Sequence, residues 1–249
     1  MAAHPKSSVF VRIAAAIGAA AALLPLAAIL GSRFGLLDWK FALGTLVAKW
    51  TPPLAMLAIA LGVIALIVAF RDRRRLLAGA LIALLPPIVA LGLLAKFRAD
   101  AGAVPPIHDV ATTWEKPLSF SRGIMAARGS GSNPVEADPI VPAKAGPPWG
   151  GRRIAEINAE TCPGAKPVMK HLNADQVAAA FEAAGVQVTG RAPWRVEGTY
   201  ESFWWGFKDD VVARIDPDRT DIRSVSRVGM SDIGANCARV TKIVEALGG

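Results

Sequence analysis

The sequence predicts an α+β protein. Three N-terminal transmembrane helices come first, then an extracytoplasmic domain with an antiparallel sheet packed by helices. Three observations lead there. Uncharged apolar runs crowd residues 1–98, each near the ~20 residues a helix needs to cross a bilayer core. Between 210 and 228 apolar and polar residues alternate with period two, the pattern of a half-buried strand. Two stretches with helical spacing, starting at Asn173 and near Ile233, bracket the strand-like runs, the order of elements in an α+β sandwich.

The first span is Val9–Gly31. Its uncharged part, Ile13–Leu30, exceeds the core of a secretory signal, so it reads as a retained helix. Pro25 lies within it, and Gly18 with Ala22 forms a small-xxx-small pair suited to close helix approach. Ser32–Pro53 reads as a loop: Trp39 and Trp50 mark the headgroup level, and Pro52–Pro53 suit a helix start. Leu54–Phe70 and Leu76–Ala95 are the second and third spans. Neither contains Asp, Glu, Lys, Arg or His. Conduits need ionisable groups at depth, so the spans read as an anchor. Pro86–Pro87 reads as a packing kink.

Charge supplies orientation. Residues 1–98 hold 11 Lys+Arg and 2 acids, while 99–249 hold 17 and 18. The basic excess therefore belongs to the membrane half, and the near-neutral remainder has no field to attract phosphates, which excludes nucleic acid as a partner. The short loop Arg71–Arg75, with four arginines, belongs in the cytoplasm. That places the N-terminus inside and everything after Lys96 outside, in the periplasm of a bacterial-type inner (plasma) membrane.

Beyond the membrane domain (1–98), residues 99–159 read as an extended strap or linker, because 121–153 is rich in Gly, Pro, Ser and Ala and lacks periodicity. Residues 160–249 read as the globular domain. Asn173 caps a helix over Ala174–Ala184, with Gln176 at the capping-box position and Gly185 past the end. Val177, Phe181 and Ala184 line its inner face. Strands follow over Val186–Thr189, Trp194–Phe203, Asp210–Ile215 and Thr220–Val228. A last helix runs from about Ile233 to Leu247, with Ile233, Cys237, Val240, Val244 and Leu247 on one side.

The candidate sites are few. In Thr220–Val228, Asp221, Arg223, Val225 and Arg227 share one face, and Ile222, Ser224, Ser226 and Val228 the other. Arg214, Glu197 and Glu201 join the arginine side. Arg214, Arg223 and Arg227 are the candidate ligand or interaction face, since guanidinium forks match carboxylates and phosphates. The plainer alternative is a solvated face of cross-strand ion pairs. Lys208, Asp209, Asp210, Asp232 and Asn236 form a candidate polar network, which with Arg223 and Arg227 could tie the Trp204–Asp210 turn to the last helix. His108 beside Asp109 is the one histidine with a catalytic-type neighbour, although adjacent side chains usually diverge. Cys162 and Cys237 are the only cysteines. They either form a disulfide in an oxidising compartment or leave Cys237 as a small buried hydrophobe. Two cysteines without spaced histidines make no zinc site. Ser231 in GMSDIG is not a nucleophile elbow, since the second glycine is a position too far. Neither a Walker loop nor a dinucleotide fingerprint is present, so no cofactor and no metal is expected.

Residues Phe207–Arg214 (FKDDVVAR), Asp221–Gly229 (DIRSVSRVG) and Ser231–Asn236 (SDIGAN) resemble the DUF1499 family, a domain of unknown function. The His108–Asp109 segment after Pro105–Pro106 also looks like that family's opening motif, and the likeness runs from about Val104 to the C-terminus. Three spans ahead of the domain match one arrangement of such proteins. The resemblance supplies a name and no reaction. Where the family pattern carries an acidic residue after Thr112–Thr113, this chain has Trp114, which weighs against a metal or acid–base role there.

The expected function is a non-enzymatic binding or interaction module of the cell envelope, held in the lipid bilayer and meeting an envelope protein, lipid or small anion. One alternative is an enzyme using His108, Asp109 and the Lys208–Asp210 turn. Another is an accessory subunit of a membrane transport complex.

Overall fold

The computed structural model describes residues 5–72 and 74–249. His4, and Arg73 of the basic loop on which the expected orientation rests, lie outside the described residues. The chain divides into two compact units, Met1–Ala99 with Trp204–Gly206, and Asp100–Phe203 with Phe207–Gly249.

Helix α1 (Pro5–Arg33) is followed by a π-helical segment, Phe41–Trp50, that runs into α2 (Thr51–Asp72). Helix α3 spans Leu77–Gly102. Three helices, Lys6–Arg33, Phe41–Arg71 and Leu77–Gly102, are long and apolar enough to cross a membrane. The second begins well before the expected Pro52–Pro53 start, so most of the expected loop Ser32–Pro53 is helical. Two features explain this. The Asp38 carboxylate accepts from the Lys40 and Phe41 amides at 2.9 and 3.1 Å, capping the helix there. Proline inside a helix deprives the carbonyl four residues back of its donor. For Pro52 that is Ala48, whose carbonyl instead accepts from Arg98 Nη2 at 3.0 Å.

Val11, Ala14, Gly18, Ala21 and Ala28 form the buried seam of α1. Gly18 is where backbones approach: a Cβ there would come within 2.6 Å of the Ala83 carbonyl oxygen. The seam follows Ala21 rather than the expected Ala22, which lies one position off the buried stripe.

The second unit is built on a five-stranded antiparallel sheet in the order β1-β5-β4-β3-β2. The strands are β1 (Asp109–Ala111), β2 (Gln187–Ala192), β3 (Arg195–Glu201), β4 (Lys208–Ile215) and β5 (Thr220–Ser226). Strands β2 to β5 form a meander. Its last turn, Asp216–Arg219, is closed by the Asp216 amide donating to the Arg219 carbonyl at 2.9 Å. Strand β1 was not expected: the segment read as a strap returns to complete the sheet edge beside β5.

Helices α5 (Ile154–Thr161), α6 (Ala174–Ala183) and α7 (Ala235–Ala246) cover one face. The α6 capping box forms as the sequence indicates, with Asn173 and Gln176 bonded reciprocally at 2.9 Å. The main core lies here. Ile154, Ile157, Val177, Phe181, Val240 and Ile243 pack against Val110, Val196, Val211, Ala213 and Ile222. The other face is covered by the chain between β1 and α5, which is mostly irregular and includes the short α4 (Arg122–Arg128). Leu118, Phe120 and Ile124 pack there on Val212 and Val225.

Candidate functional site

Period-two alternation puts Asp221, Arg223 and Val225 of β5, and Arg227 just past its end, on the face beneath the irregular cover, where they meet Asp109, Asp210 and Arg214. Arg223 is 1 % exposed. Its guanidinium grips Asp109 at 3.0 Å through Nε and 2.6 Å through Nη2, and donates to the carbonyls of Leu118 at 2.7 Å and Glu136 at 2.6 Å. The Trp114 indole lies over it at 5.1 Å. Asp210 is held from two sides, by Arg128 at 2.7 Å and by Arg227 at 2.8 and 2.9 Å, with Thr199 donating at 2.8 Å. Arg227 also donates to the Ala127 carbonyl at 2.8 Å. Arg214 pairs with Asp216 and Asp221 and reaches the Lys116 carbonyl at 3.0 Å. Arg195 pairs with Glu197 and donates to the Ser119 carbonyl. Each of these arginines bridges a sheet-side carboxylate to a carbonyl of the cover. The candidate face of Arg214, Arg223 and Arg227 is thus engaged by the protein's own chain. An anion at Arg223 would have to displace Asp109.

The helix-covered face carries a polar patch at the N-terminal end of α7. Arg239 donates to Asp209 at 2.8 Å, to Ser224 at 3.0 Å and to Asn236 at 2.7 Å, and stacks on Tyr200 at 4.1 Å. Asn236 also donates to the His108 carbonyl and to Ser226. Asp232 accepts from the amides of Gly234 at 2.8 Å and Asn236 at 3.1 Å. Burial pushes its carboxyl up to about 6, and the nearby Asp209 charge adds to this, against the lowering effect of those two amides. Burial lowers the His108 pKa, opposed by the Asp109 charge beside it. Between Asp232 and Gly234, Ile233 takes φ 56°, a costly conformation for a β-branched residue.

A cavity of about 480 Å³ opens where β1 meets α5. Its lining includes Thr113, Trp114, Asn158, Cys162, Lys166 and Arg219. Cys162, at the end of α5, is bonded to Cys237 in α7, with Cα atoms 5.8 Å apart. The disulfide therefore ties one wall of this cavity to the last helix. Among the described residues no group of His, Cys, Asp and Glu could hold a metal ion.

The sequence profile of a family described as "Protein of unknown function (DUF1499)" matches residues 109–247, more than half of the chain. The chain belongs to the DUF1499 family. No curated protein and no solved structure matches it.

The DUF1499 domain separates what the sequence grouped together. Asp209 and Asp210, adjacent in β4, face opposite sides. Asp210 joins Arg227 and Arg128, whereas Asp209 joins Arg239 and Asn236. Lys208 sits on the surface, 3.6 Å from Glu201. Both Asp109 oxygens accept from Arg223, and the charge of Asp109 acts on the neighbouring His108. Cys162 and Cys237 are brought together. Sequence reasoning missed Arg128 and Arg239, each buried against a carboxylate. Arg239 had a visible signal, a charge amid the apolar positions of the last helix. Arg128 had none, because nothing local marks where an irregular segment returns to a sheet.

Proposed function

We propose that this DUF1499 protein is a membrane-anchored binding module of the cell envelope, with its α+β domain outside the cytoplasm, and that it holds a ligand without transforming it. The observation that carries the reading is the mutual pairing of the domain's buried charges. Arg128, Arg223, Arg227 and Arg239 are each committed to Asp109, Asp209 or Asp210, which suits a rigid scaffold presenting a concave surface. The Cys162–Cys237 bond supports the location, because disulfides persist in oxidising compartments. The test has two arms in living cells. Thiol alkylation is expected to label Cys162 and Cys237 only after reduction, and a reporter fused after Gly249 is expected to be active only outside the cytoplasm. Free thiols together with a cytoplasmic reporter would sink the location.

One observation favours a second reading, acid–base chemistry at the α7 end of the sheet. Perturbed carboxyl and imidazole groups cluster at catalytic sites, and Asp232, at about 6, and His108 are the two such groups here. His108→Gln separates the readings. A variant that folds and accumulates normally yet fails to complement a deletion of the gene favours chemistry.

A further inference from the structure

We propose that the turn between β3 and β4 is a membrane-contact element that seats Phe203 and Trp204 in the headgroup layer of the bilayer holding the three apolar helices. The proposal goes beyond the binding-module reading and holds on either side of the membrane. Turns between paired strands ordinarily carry Gly, Asn, Asp or Pro. Here Ser202–Phe207 reads SFWWGF, four aromatics in six residues. The base of the turn is closed, the Ser202 amide donating to the Phe207 carbonyl at 2.8 Å and the Phe207 amide to Ser202 Oγ at 2.9 Å. Gly206 supplies the left-handed position, at φ 68°. Phe203 and Trp204 stand out from the turn, 76 % and 58 % exposed. Water is a costly neighbour for two such side chains, whereas the interface of a bilayer takes up indole and phenyl rings.

Strand register puts the turn where lipid is in reach. Glu201 is paired with Lys208, Asp209 with Ser226, and Asp109 with Val225. The aromatic turn therefore lies at the same end of the sheet as the start of β1, where the chain arrives from the apolar helices. Only residues 103–108 separate the end of α3 from β1, a reach of at most about 25 Å. Trp204–Gly206 also groups with the helical unit rather than with the sheet it interrupts. The opposite end of the sheet offers a contrast. Trp194, 66 % exposed, lies there, its carbonyl accepting from the Ile215 amide at 2.9 Å. Charge names the kind of surface. Lys208, at the foot of the turn, lies 3.6 Å from Glu201, so the contact depends on the rings and not on anionic headgroups.

The test uses the full chain, with fluorine-labelled tryptophan, in nanodiscs of zwitterionic lipid. The Trp204 and Trp194 signals are assigned by their loss in Trp204→Phe and Trp194→Phe. A nitroxide on the upper acyl chain of the lipid is expected to relax Trp204 several-fold more than Trp194, and a soluble gadolinium chelate to do the reverse. Phe203→Asp is expected to make Trp204 several-fold more sensitive to the chelate while leaving the melting temperature unchanged. Equal response of the two tryptophans to the lipid nitroxide overturns the proposal, as does an unchanged Trp204 response in Phe203→Asp. Shielding of Trp204 from both agents also overturns it, and identifies a protein surface as the cover. A lipid response that requires anionic headgroups overturns it in favour of an electrostatic contact. A cytoplasmic reporter combined with lipid relaxation of Trp204 would remove the proposed location of the domain and leave this contact standing.

Discussion

The two faces of the sheet are covered in different ways. Helices α5, α6 and α7 satisfy their own backbone groups, so the sheet meets them with Val196, Val211, Ala213 and Ile222, and apolar contact suffices. The cover on the opposite face is mostly irregular, and its carbonyls need donors that no helix supplies. The sheet provides them through arginines, which reach the carbonyls of Lys116, Leu118, Ala127 and Glu136. A row of arginines on a buried strand face can thus be the backbone partner of an irregular layer. Such a row resembles an anion site in the sequence because both uses exploit the same planar fork.

The largest effect is expected from Arg223→Ala, which strands Asp109 in the interior. Removing one partner of a buried pair costs about 3–5 kcal/mol, measured by denaturant unfolding. Adding Asp109→Asn is expected to recover part of the loss. Phe181→Ala on the helix-covered face is expected to cost about as much through an unfilled cavity, with no such rescue. If Asp109→Asn recovers nothing, the two faces do not differ as described.

Next in size is the disulfide. Cys162 and Cys237 are 75 residues apart, and in the chain-entropy account a loop of that length is worth about 4 kcal/mol. Reduction is expected to lower the melting temperature, and Cys162→Ala with Cys237→Ala to reproduce that drop without further response to reductant.

The pH dependence sharpens the contrast at the polar end of the helix-covered face. The Asp232 carboxyl is raised from 3.8 to about 6 on folding, so its contribution is fully present below pH 3.8 and is lost as pH rises through about 6. The shift corresponds to about 3 kcal/mol. His108, whose pKa is lowered, acts in the opposite sense: its contribution is lost as pH falls below its unfolded value. The difference in unfolding free energy between the protein and Asp232→Asn, followed from pH 4 to 7, isolates the carboxyl. A difference that stays constant over that range would refute the assignment. The smallest effect belongs to the surface of the irregular cover. Arg153 and Asp138, 56 % and 49 % exposed, pair at 2.8 Å, and Arg153→Ala is expected to change stability by no more than about 0.5 kcal/mol.

Much of the helix-covered half was legible. Alternation identified β4 and β5, the Asn173 capping box fixed the start of α6, and the face assignments of Arg223, Ser224, Ser226 and Arg227 follow from period two. These signals are local, written within one or two turns or strands. What was not legible is non-local. Strand β1 is three residues long, too short for any pattern, and it is specified by Asp109 meeting Arg223. The irregular cover has no period, so its return over the sheet is set by donors and acceptors far apart in sequence. The helix from Phe41 was hidden because Pro52 normally breaks a ladder, and only Arg98, some 50 residues away, fills the gap that proline leaves. The Trp114, Asn158 and Arg219 cavity has the same character: three segments, none remarkable alone.

The position of β1 at the sheet edge bears on how the domain is made. Strands β2 to β5 follow one another and can zip together as hairpins, whereas Asp109 waits for Arg223, 114 residues later in synthesis. Without the segment between β1 and α5 packed down, one broad side of the sheet would lie open to solvent, and such surfaces drive aggregation of folding intermediates. That side carries Arg214, Asp221, Arg223, Arg227 and Asp210 beside Val212 and Val225. The charges that lock the cover in place would also keep that side of an unfinished sheet hydrated, and the closing of β1, the contact of longest range, is expected to come late in folding.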